Sequence, residues 1–175
     1  SNFYNMLDST GASGFLPTVT FTSTDASFTA LQRITQLNNI GITGYYEADF
    51  ADNITDISFG AFQNDFDVVV VTINKVANIR SYAFAGCSAM RSITLDTAVD
   101  ASGRYLLTSI DTGAFQGCTS LRNLHIPDTV KQIPSYLCDG CTSLEVAVMG
   151  YGWNRNSDSY VTDSTIGRSA FANCS

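Results

Sequence analysis

One repeat unit of this 175-residue chain is Ile110-Asp-Thr-Gly-Ala-Phe-Gln-Gly-Cys-Thr-Ser-Leu-Arg-Asn-Leu-His-Ile-Pro-Asp-Thr-Val-Lys-Gln-Ile133. Counted from Ile110 as position 0, Ala and Phe stand at +4 and +5, Cys at +8, and apolar residues at +11, +14 and +16. The same offsets recur, with substitutions, from Ile57, Ile79, Ile133 and Ile166, and in a weaker form from Ala26. Self-similarity at a fixed spacing is typical of a repeat protein. We number these copies 1 to 6 from Ala26 to Ile166.

The spacing within each copy predicts its local structure. Positions +14 and +16 are two residues apart, so their side chains point to one face of a short strand. The other apolar positions, three to four residues apart, suit tight turns or 3₁₀ segments. One copy cannot bury its own apolar face, whereas stacked copies can. The chain is therefore expected to form a β-rich repeat solenoid, with a parallel sheet on one side and turns or 3₁₀ segments on the other.

The aromatic and cysteine positions of the repeat are predicted to form the core. Cys138 and Cys141 also make an isolated C-x-x-C, which could indicate redox chemistry or half of a metal site. The repeat already explains both positions, because Cys138 replaces the usual Phe, so we interpret the cysteines as buried thiols. The predicted core residues are Phe62, Phe84, Cys87, Phe115, Cys118, Cys141, Phe171 and Cys174.

The copies differ in length, and this predicts where the chain projects from the solenoid. Successive copies start 31, 22, 31, 23 and 33 residues apart, so long and short copies alternate. The extra residues follow the predicted strands, at Thr43–Asn53, Asp96–Leu106 and Gly150–Thr165. Three loops should therefore line up along one edge, at every second copy. Insertions confined to one face commonly form the binding face of a repeat protein.

These loops and the outward sheet face supply the candidate binding residues. Tyr, Trp and Arg dominate the energetics of protein interfaces, and all three occur in the loops. The opposing interpretation is that the loop aromatics fold back over the core. The loop candidates are Tyr45, Tyr46, Arg104, Tyr105, Tyr151, Trp153, Arg155 and Tyr160. The sheet-face candidates are Thr72, Thr94, His125 and Val148, each lying between two inward positions.

The pattern of copy 4 resembles the BspA-like (Treponema-type) leucine-rich repeat family, whose motif is approximately I-x-x-x-A-F-x-x-C-x-x-L-x-x-I-x-I-P-x-x-V-x-x-I. The resemblance covers residues 26–175 and departs from the motif at Asp65, in the weak copy 1 and in the unfinished copy 6. It implies a surface protein of a bacterium or protist that adheres to host or partner proteins. It implies no shared catalytic residues. We place a capping segment at 1–25 and the solenoid, five copies plus a truncated sixth, at 26–175.

Composition excludes several functions. The net charge is −7, with nine scattered basic residues, so neither nucleic acid nor an anionic membrane finds a complementary surface. No apolar run approaches the roughly 20 residues of a membrane span. His125 is the single histidine, and no metal-ligand or phosphate-loop spacing accompanies it. We therefore expect a protein that is not an enzyme and holds no cofactor or metal.

Two functions follow from these observations. The leading one is an adhesion or recognition module at a cell surface, binding a protein partner through the loops or the sheet face. The alternative is a structural subunit of an assembly such as a filament, surface layer or virion. It rests on copy 6, which stops before its strand and leaves Val146–Met149 as an open edge, and on the absence of a signal-peptide pattern at Ser1–Tyr4. Truncation of a longer chain and completion by a neighbour both explain that edge.

Overall fold

The computed structural model describes residues 31–36, 46–50, 55–73, 75–95, 98–150 and 165–174, with backbone alone for the first two ranges and Thr165. These residues form strands and turns, and no helix occurs among them. The strands are β1 (Leu31–Gln36), β2 (Tyr46–Phe50), β3 (Asp56–Ile57), β4 (Val68–Thr72), β5 (Asn78–Ile79), β6 (Ser92–Thr94), β7 (Ser109–Ile110), β8 (Asn123–Ile126), β9 (Gln132–Ile133), β10 (Val146–Met149) and β11 (Thr165–Ile166).

A parallel sheet forms one side of the solenoid, as the spacing predicts. Strand β4 pairs with β6 through Val71 and Ile93, and β8 pairs with β10 through Leu124 and Ala147. All four residues stand at position +14, so consecutive copies align without a register shift. Strands β6 and β8 are neighbours but are not joined by a hydrogen-bonded ladder.

A second, shorter ladder runs along the starts of the copies, which the spacing did not predict. Strands β3, β5 and β7 form one three-stranded parallel group, and β9 and β11 form another pair. Ile57 pairs with Ile79, and Ile79 pairs with Ile110. Copies 2, 3 and 4 are therefore joined at their starts, as are copies 5 and 6, whereas no start pairing among the described strands joins copies 4 and 5.

The turn side is held together by backbone hydrogen bonds that alternate in direction. Within copy 3, the amides of Ala83, Ala85 and Cys87 donate to carbonyls three residues earlier, at 3.1–3.2 Å. The intervening amides of Tyr82, Phe84 and Gly86 donate instead to Thr112, Ala114 and Gln116 of copy 4, at 2.7–3.1 Å. In copies 2, 4 and 5, the turn amides at the same positions donate in the same way to carbonyls of the next copy. Every second turn amide thus ties one copy to the next.

This alternation requires a left-handed backbone at two positions of each copy. In copies 2 to 6, positions +3 and +7 have positive φ, for example 73° at Gly86 and 71° at Gly117. Glycine takes this conformation without steric cost, which explains the Gly before Cys in the repeat. Tyr82 and Tyr136 adopt it as well, at 56° and 57°, where a side chain costs about 1–2 kcal/mol. The surrounding ladder holds them there.

The core fills the space between the sheet and the turns. Phe62, Phe84 and Phe115 are fully buried and stack along the solenoid axis. Their ring centroids lie 5.0 and 5.8 Å apart, with interplanar angles of 12° and 22°. The stack follows from the repeat, because one ring per copy stands at position +5. Cys138 ends it by replacing the next ring.

The structure corrects our assignment of copy 1. We aligned Ile40 and Ile42 with the strand and placed Thr43–Asn53 in a loop, but residues 46–50 form β2, which pairs in parallel with β4. Ala48 lies opposite Val71, so Ala48 and Phe50 take the strand positions, and their alternation with polar residues supports this. Residues 31–36, expected as a turn, form β1 and pair with β2 in antiparallel orientation. The predicted row of three loops is therefore wrong in its first member.

The stacked rings generate the first prediction. Phe84→Ala should lower the free energy of unfolding by about 3–5 kcal/mol, because it removes a fully buried ring between two others. Urea denaturation followed by circular dichroism measures this. Phe59→Ala is the matched control, since Phe59 is 68% exposed, and it should cost far less. Equal losses in the two variants would contradict a core built on the ring stack.

Candidate protein-binding surface

The insertion after β6 forms a compact hairpin over residues 98–106. Val99 and Tyr105 make an isolated antiparallel bridge, and the Leu106 amide donates to the Ala98 carbonyl at 3.0 Å. At the tip, the amides of Asp100 and Gly103 bond to the carbonyls of Arg104 and Asp100. Gly103 supplies the positive φ of 77° that closes the turn. The hairpin therefore has a defined backbone before any partner binds.

Asp100 organises the tip, and our sequence analysis missed it. Its Oδ1 accepts hydrogen bonds from the Ser102 and Arg104 amides, at 2.8 and 3.1 Å. Its Oδ2 lies 3.2 Å from the Arg104 guanidinium. The Arg104 and Ser102 amides, helped by the guanidinium, hold the pKa of Asp100 below its usual value. The signal in the sequence is the Asp-x-x-Gly spacing, which favours a turn with a side-chain cap.

The two hairpin candidates take different positions. The Arg104 side chain is 73% exposed although it pairs with Asp100, so its guanidinium group is accessible to a partner. Tyr105 is half-buried beside Val99, which is 51% exposed. Together they present a cation, a ring and an aliphatic side chain, the mixture found in interface cores.

The sheet-face candidates lie in register. Thr72 is opposite Thr94, and Val148 is opposite His125. All four side chains are half-buried, as expected for residues on the outer face of a sheet. They form two pairs rather than one continuous row, because the ladder is interrupted between β6 and β8.

Most of the remaining loop candidates cannot be placed on this surface. Tyr46 lies in β2, not in a loop, and the side chain of Tyr46 is outside the described part of the chain. Five further candidates lie outside the described residues: Tyr45, Tyr151, Trp153, Arg155 and Tyr160. The described surface thus consists of the hairpin and the four sheet-face residues.

The cysteines form a ladder inside the solenoid. The Sγ atoms of Cys87, Cys118 and Cys141 each donate to the position +5 carbonyl of the preceding copy at 3.1 Å. Cys174, which is half-buried, bonds in the same way to Cys138 at 3.2 Å. Phe171 packs against the same core and is also half-buried.

Burial determines the chemistry of the Cys87 and Cys118 thiols. It raises the pKa of Cys87 and of Cys118 well above the usual value, so neither supplies a thiolate at neutral pH. All five cysteines are free. Among the described residues, no group of three His, Cys, Asp or Glu side chains is arranged to hold a metal ion.

Asp65 occupies the cysteine position in copy 2 and is fully buried. Its Oδ1 accepts hydrogen bonds from the Asp67 and Val68 amides at 3.0 and 3.2 Å. Its Oδ2 has no hydrogen-bond donor within the described ranges. Burial away from water raises the pKa of Asp65 to about 6, against the opposing effect of the two amide donors.

Comparison with known families agrees with this architecture. The sequence model of the BspA type leucine-rich repeat region matches six copies over residues 17–145 and 104–175. The chain belongs to this family. The match begins at Pro17, inside the segment 1–25 where we predict a cap.

Comparison with individual proteins adds little. No curated protein matches the sequence significantly. Among solved structures, a leucine-rich cell surface protein from Faecalibacterium prausnitzii A2-165 is similar at 17% identity, with a TM-score of 0.41. The alignment covers 87% of this chain and 54% of that protein. In the described part of the chain, no helix has the length and apolarity needed to cross a membrane.

The buried carboxyl generates the second prediction. The pKa of Asp65 is about 6 in the folded protein and about 3.9 in an unfolded chain. Between about pH 3.9 and about pH 6, the Asp65 carboxyl is therefore protonated in the folded protein and ionised in the unfolded chain. The free energy of unfolding therefore falls as the pH rises from about 4 to about 6, and at pH 7 it is about 3 kcal/mol lower than below pH 4. The free energy of unfolding of the wild type relative to Asp65→Asn should fall by this amount from pH 4 to pH 7.

Urea denaturation across that pH range measures the difference. Asp128→Asn, at a half-buried turn carboxyl, serves as the control and should keep the wild-type pH dependence. Parallel curves for the wild type and Asp65→Asn would show that Asp65 is ionised at no cost in the folded protein.

Proposed function

We propose that this protein is a non-enzymatic protein-binding module of a surface protein, and that it adheres to a partner through the hairpin 98–106 and the sheet face. The observation that carries the proposal is the hairpin tip, where Asp100 holds an exposed Arg104 in one orientation. A preorganised side chain loses less conformational entropy on binding, so more of its contact energy is retained. Membership of the BspA type repeat family supports the surface location.

The sheet face supports a flat contact rather than a catalytic site. Thr72, Thr94 and Val148 are small and half-buried, and Val148 lies opposite His125, the single histidine of the sequence. A partner surface can pack on such residues without a pocket. The buried, protonated thiols of Cys87 and Cys118 are unsuited to nucleophilic catalysis, because the thiolate is the reactive form.

A binding screen tests the proposal. The immobilised protein is exposed to purified collagen, fibronectin, laminin and fibrinogen, and biolayer interferometry measures the affinities. We expect at least one to bind, and Arg104→Ala and Thr94→Arg each to weaken that complex about tenfold, which corresponds to about 1.4 kcal/mol. Both changes lie on the proposed surface.

Matched controls come from the turn side of the solenoid. Arg168→Ala removes an exposed arginine and Thr142→Arg introduces one at an exposed threonine, and both should bind as the wild type does. If none of collagen, fibronectin, laminin and fibrinogen binds, the expected adhesion is contradicted. If the two control variants lose as much affinity as Arg104→Ala and Thr94→Arg, the proposed surface is wrong.

The second candidate is a subunit that stacks with copies of itself through β10. One observation favours it: Val146 and Met149 on β10 are 48% and 37% exposed, whereas Ile126, the counterpart of Met149, is fully buried. Exposed apolar edges of this kind pair readily with other strands.

Light scattering over a range of concentrations tests this candidate. Self-association that Val146→Lys abolishes and Thr142→Lys leaves intact would support it. A monomer at every concentration, or an oligomer that both variants retain, would exclude pairing through β10.

A further inference from the structure

The short strands β3, β5, β7, β9 and β11 at the starts of the copies form a ladder, here called the start ladder. It is interrupted between β7 and β9, and the sequence explains why. At three junctions the amide at position +1 donates to the position 0 carbonyl of the preceding copy: Arg80 to Ile57, Asp111 to Ile79, and Gly167 to Ile133, at 2.7–2.9 Å. Copy 5 has Pro134 at position +1. Proline has no amide hydrogen, so it cannot make the corresponding bond to Ile110. The ladder stops between β7 and β9 for this reason.

The interruption extends to the residues before the strands. In copies 3 and 4, the amides at positions −2 and −1 donate to the position −2 carbonyl of the preceding copy; Thr108 and Ser109, for example, both donate to Ala77. No such bonds join Lys131 and Gln132 to Thr108, all within the described residues. On the copy 4 side of the opening, the carbonyls of Thr108 and Ile110 therefore accept no hydrogen bond from copy 5. On the copy 5 side, the amides of Lys131 and Gln132 donate none to copy 4.

A groove of about 630 Å³ lies at this interruption. Its volume is in the range of about 300–1,000 Å³ found for small-molecule sites. The turn ladder remains intact behind it, since Gly113 and Phe115 donate to Ser135 and Leu137. The groove is thus a gap between two copies that are held together elsewhere.

The lining is polar and largely neutral. It includes the hydroxyl groups of Ser81, Thr108, Ser109, Thr112 and Ser135 and the amide of Gln132. Its two charged groups are already bonded within the protein. Asp111 accepts from the Ser109 hydroxyl at 3.2 Å and lies 3.8 Å from Arg80, while Lys131 donates to the Asp128 carbonyl at 2.7 Å.

An aromatic ring lies next to Gly113, beside the groove lining but not part of it. The ring of Tyr82 lies so close to the backbone of Gly113 that a Cβ there would be 2.6 Å from it. Gly113 follows Thr112, which lines the groove, so the ring covers backbone beside the hydroxyl wall. Phe59 packs edge-on against Tyr82, with centroids 5.8 Å apart.

The ligand chemistry follows from the two walls and their hydroxyl groups. A hydroxyl group both donates and accepts, so a chain of hydroxyls can bond to amides on one wall and to carbonyls on the other. An extended peptide recognised at a strand edge needs apolar pockets for alternate side chains, and this lining offers none beyond Ile166 and Pro134 at its surface. A phosphate needs several cations to bind it, and the lining has one, Lys131, together with the carboxylate of Asp111, which repels an anion.

We propose that the groove between copies 4 and 5, opened by Pro134, binds a neutral oligosaccharide. The site is separate from the protein-binding surface proposed above and does not depend on it. Residues on the walls would bond to the sugar hydroxyls.

Nuclear magnetic resonance titration tests the proposal with cellohexaose, laminarihexaose, mannohexaose and maltohexaose as probes. At least one should shift the amide resonances of Lys131 and Gln132 in a saturable way. Pro134→Ala restores the missing amide, which should bond to Ile110, close the groove and weaken binding at least tenfold. Slow hydrogen exchange of the new amide reports that closure directly, and so separates it from misfolding.

A second pair of variants keeps the test independent of Pro134. Gln132→Trp places a bulky side chain at an exposed groove position and should also weaken binding tenfold, whereas Thr119→Trp, exposed and outside the groove, should not. The proposal fails if no hexasaccharide binds, or if binding survives in Pro134→Ala with the new amide protected. It also fails if a Ser/Thr/Gly-rich peptide shifts the amide resonances of Lys131 and Gln132 and no hexasaccharide does.

Discussion

The alternation of turn amides between two kinds of acceptor is the constraint on which the rest of this solenoid depends. One amide closes its own turn and the next one bonds to the following copy, as Ala85 and Phe84 do. The backbone can follow this path only with positive φ at positions +3 and +7. Each copy is therefore locked at one spacing from its neighbour. The ring stack of Phe62, Phe84 and Phe115 and the thiol ladder both follow, because equivalent side chains repeat at that spacing.

Such regularity limits where a binding site can arise. A complete ladder uses its own donors and acceptors, so recognition must rely on side chains or on places where the ladder is interrupted. The hairpin 98–106 is an insertion that leaves the ladder, and its tip presents Arg104. Pro134 interrupts the ladder by removing one donor, and the groove lies at that point. Both features come from local departures from the repeat.

The position of Asp65 shows how one substitution changes the chemistry of a repeated site. In copies 3 to 6 the residue at +8 is a cysteine whose thiol bonds to the preceding copy. A carboxylate cannot donate in this way, and Asp65 instead accepts two amides of its own copy. Its burial raises its pKa to about 6, so in copy 2 this position makes the stability of the fold sensitive to pH.

The sequence alone determined the parts of this protein that repeat. The offsets in copies 2 to 4 specify which side chains are buried, and the +14 and +16 spacing specifies the strands, because both depend only on local periodicity. Copy 1 was misaligned, since Ile40 and Ile42 are more apolar than Ala48 and Phe50, and only pairing with β4 selects the second pair. The bonding of Arg104 to Asp100 and the groove at Pro134 are likewise features that only the tertiary structure decided. Each depends on hydrogen bonds made or lost between residues brought together by folding, and a periodic pattern does not encode them.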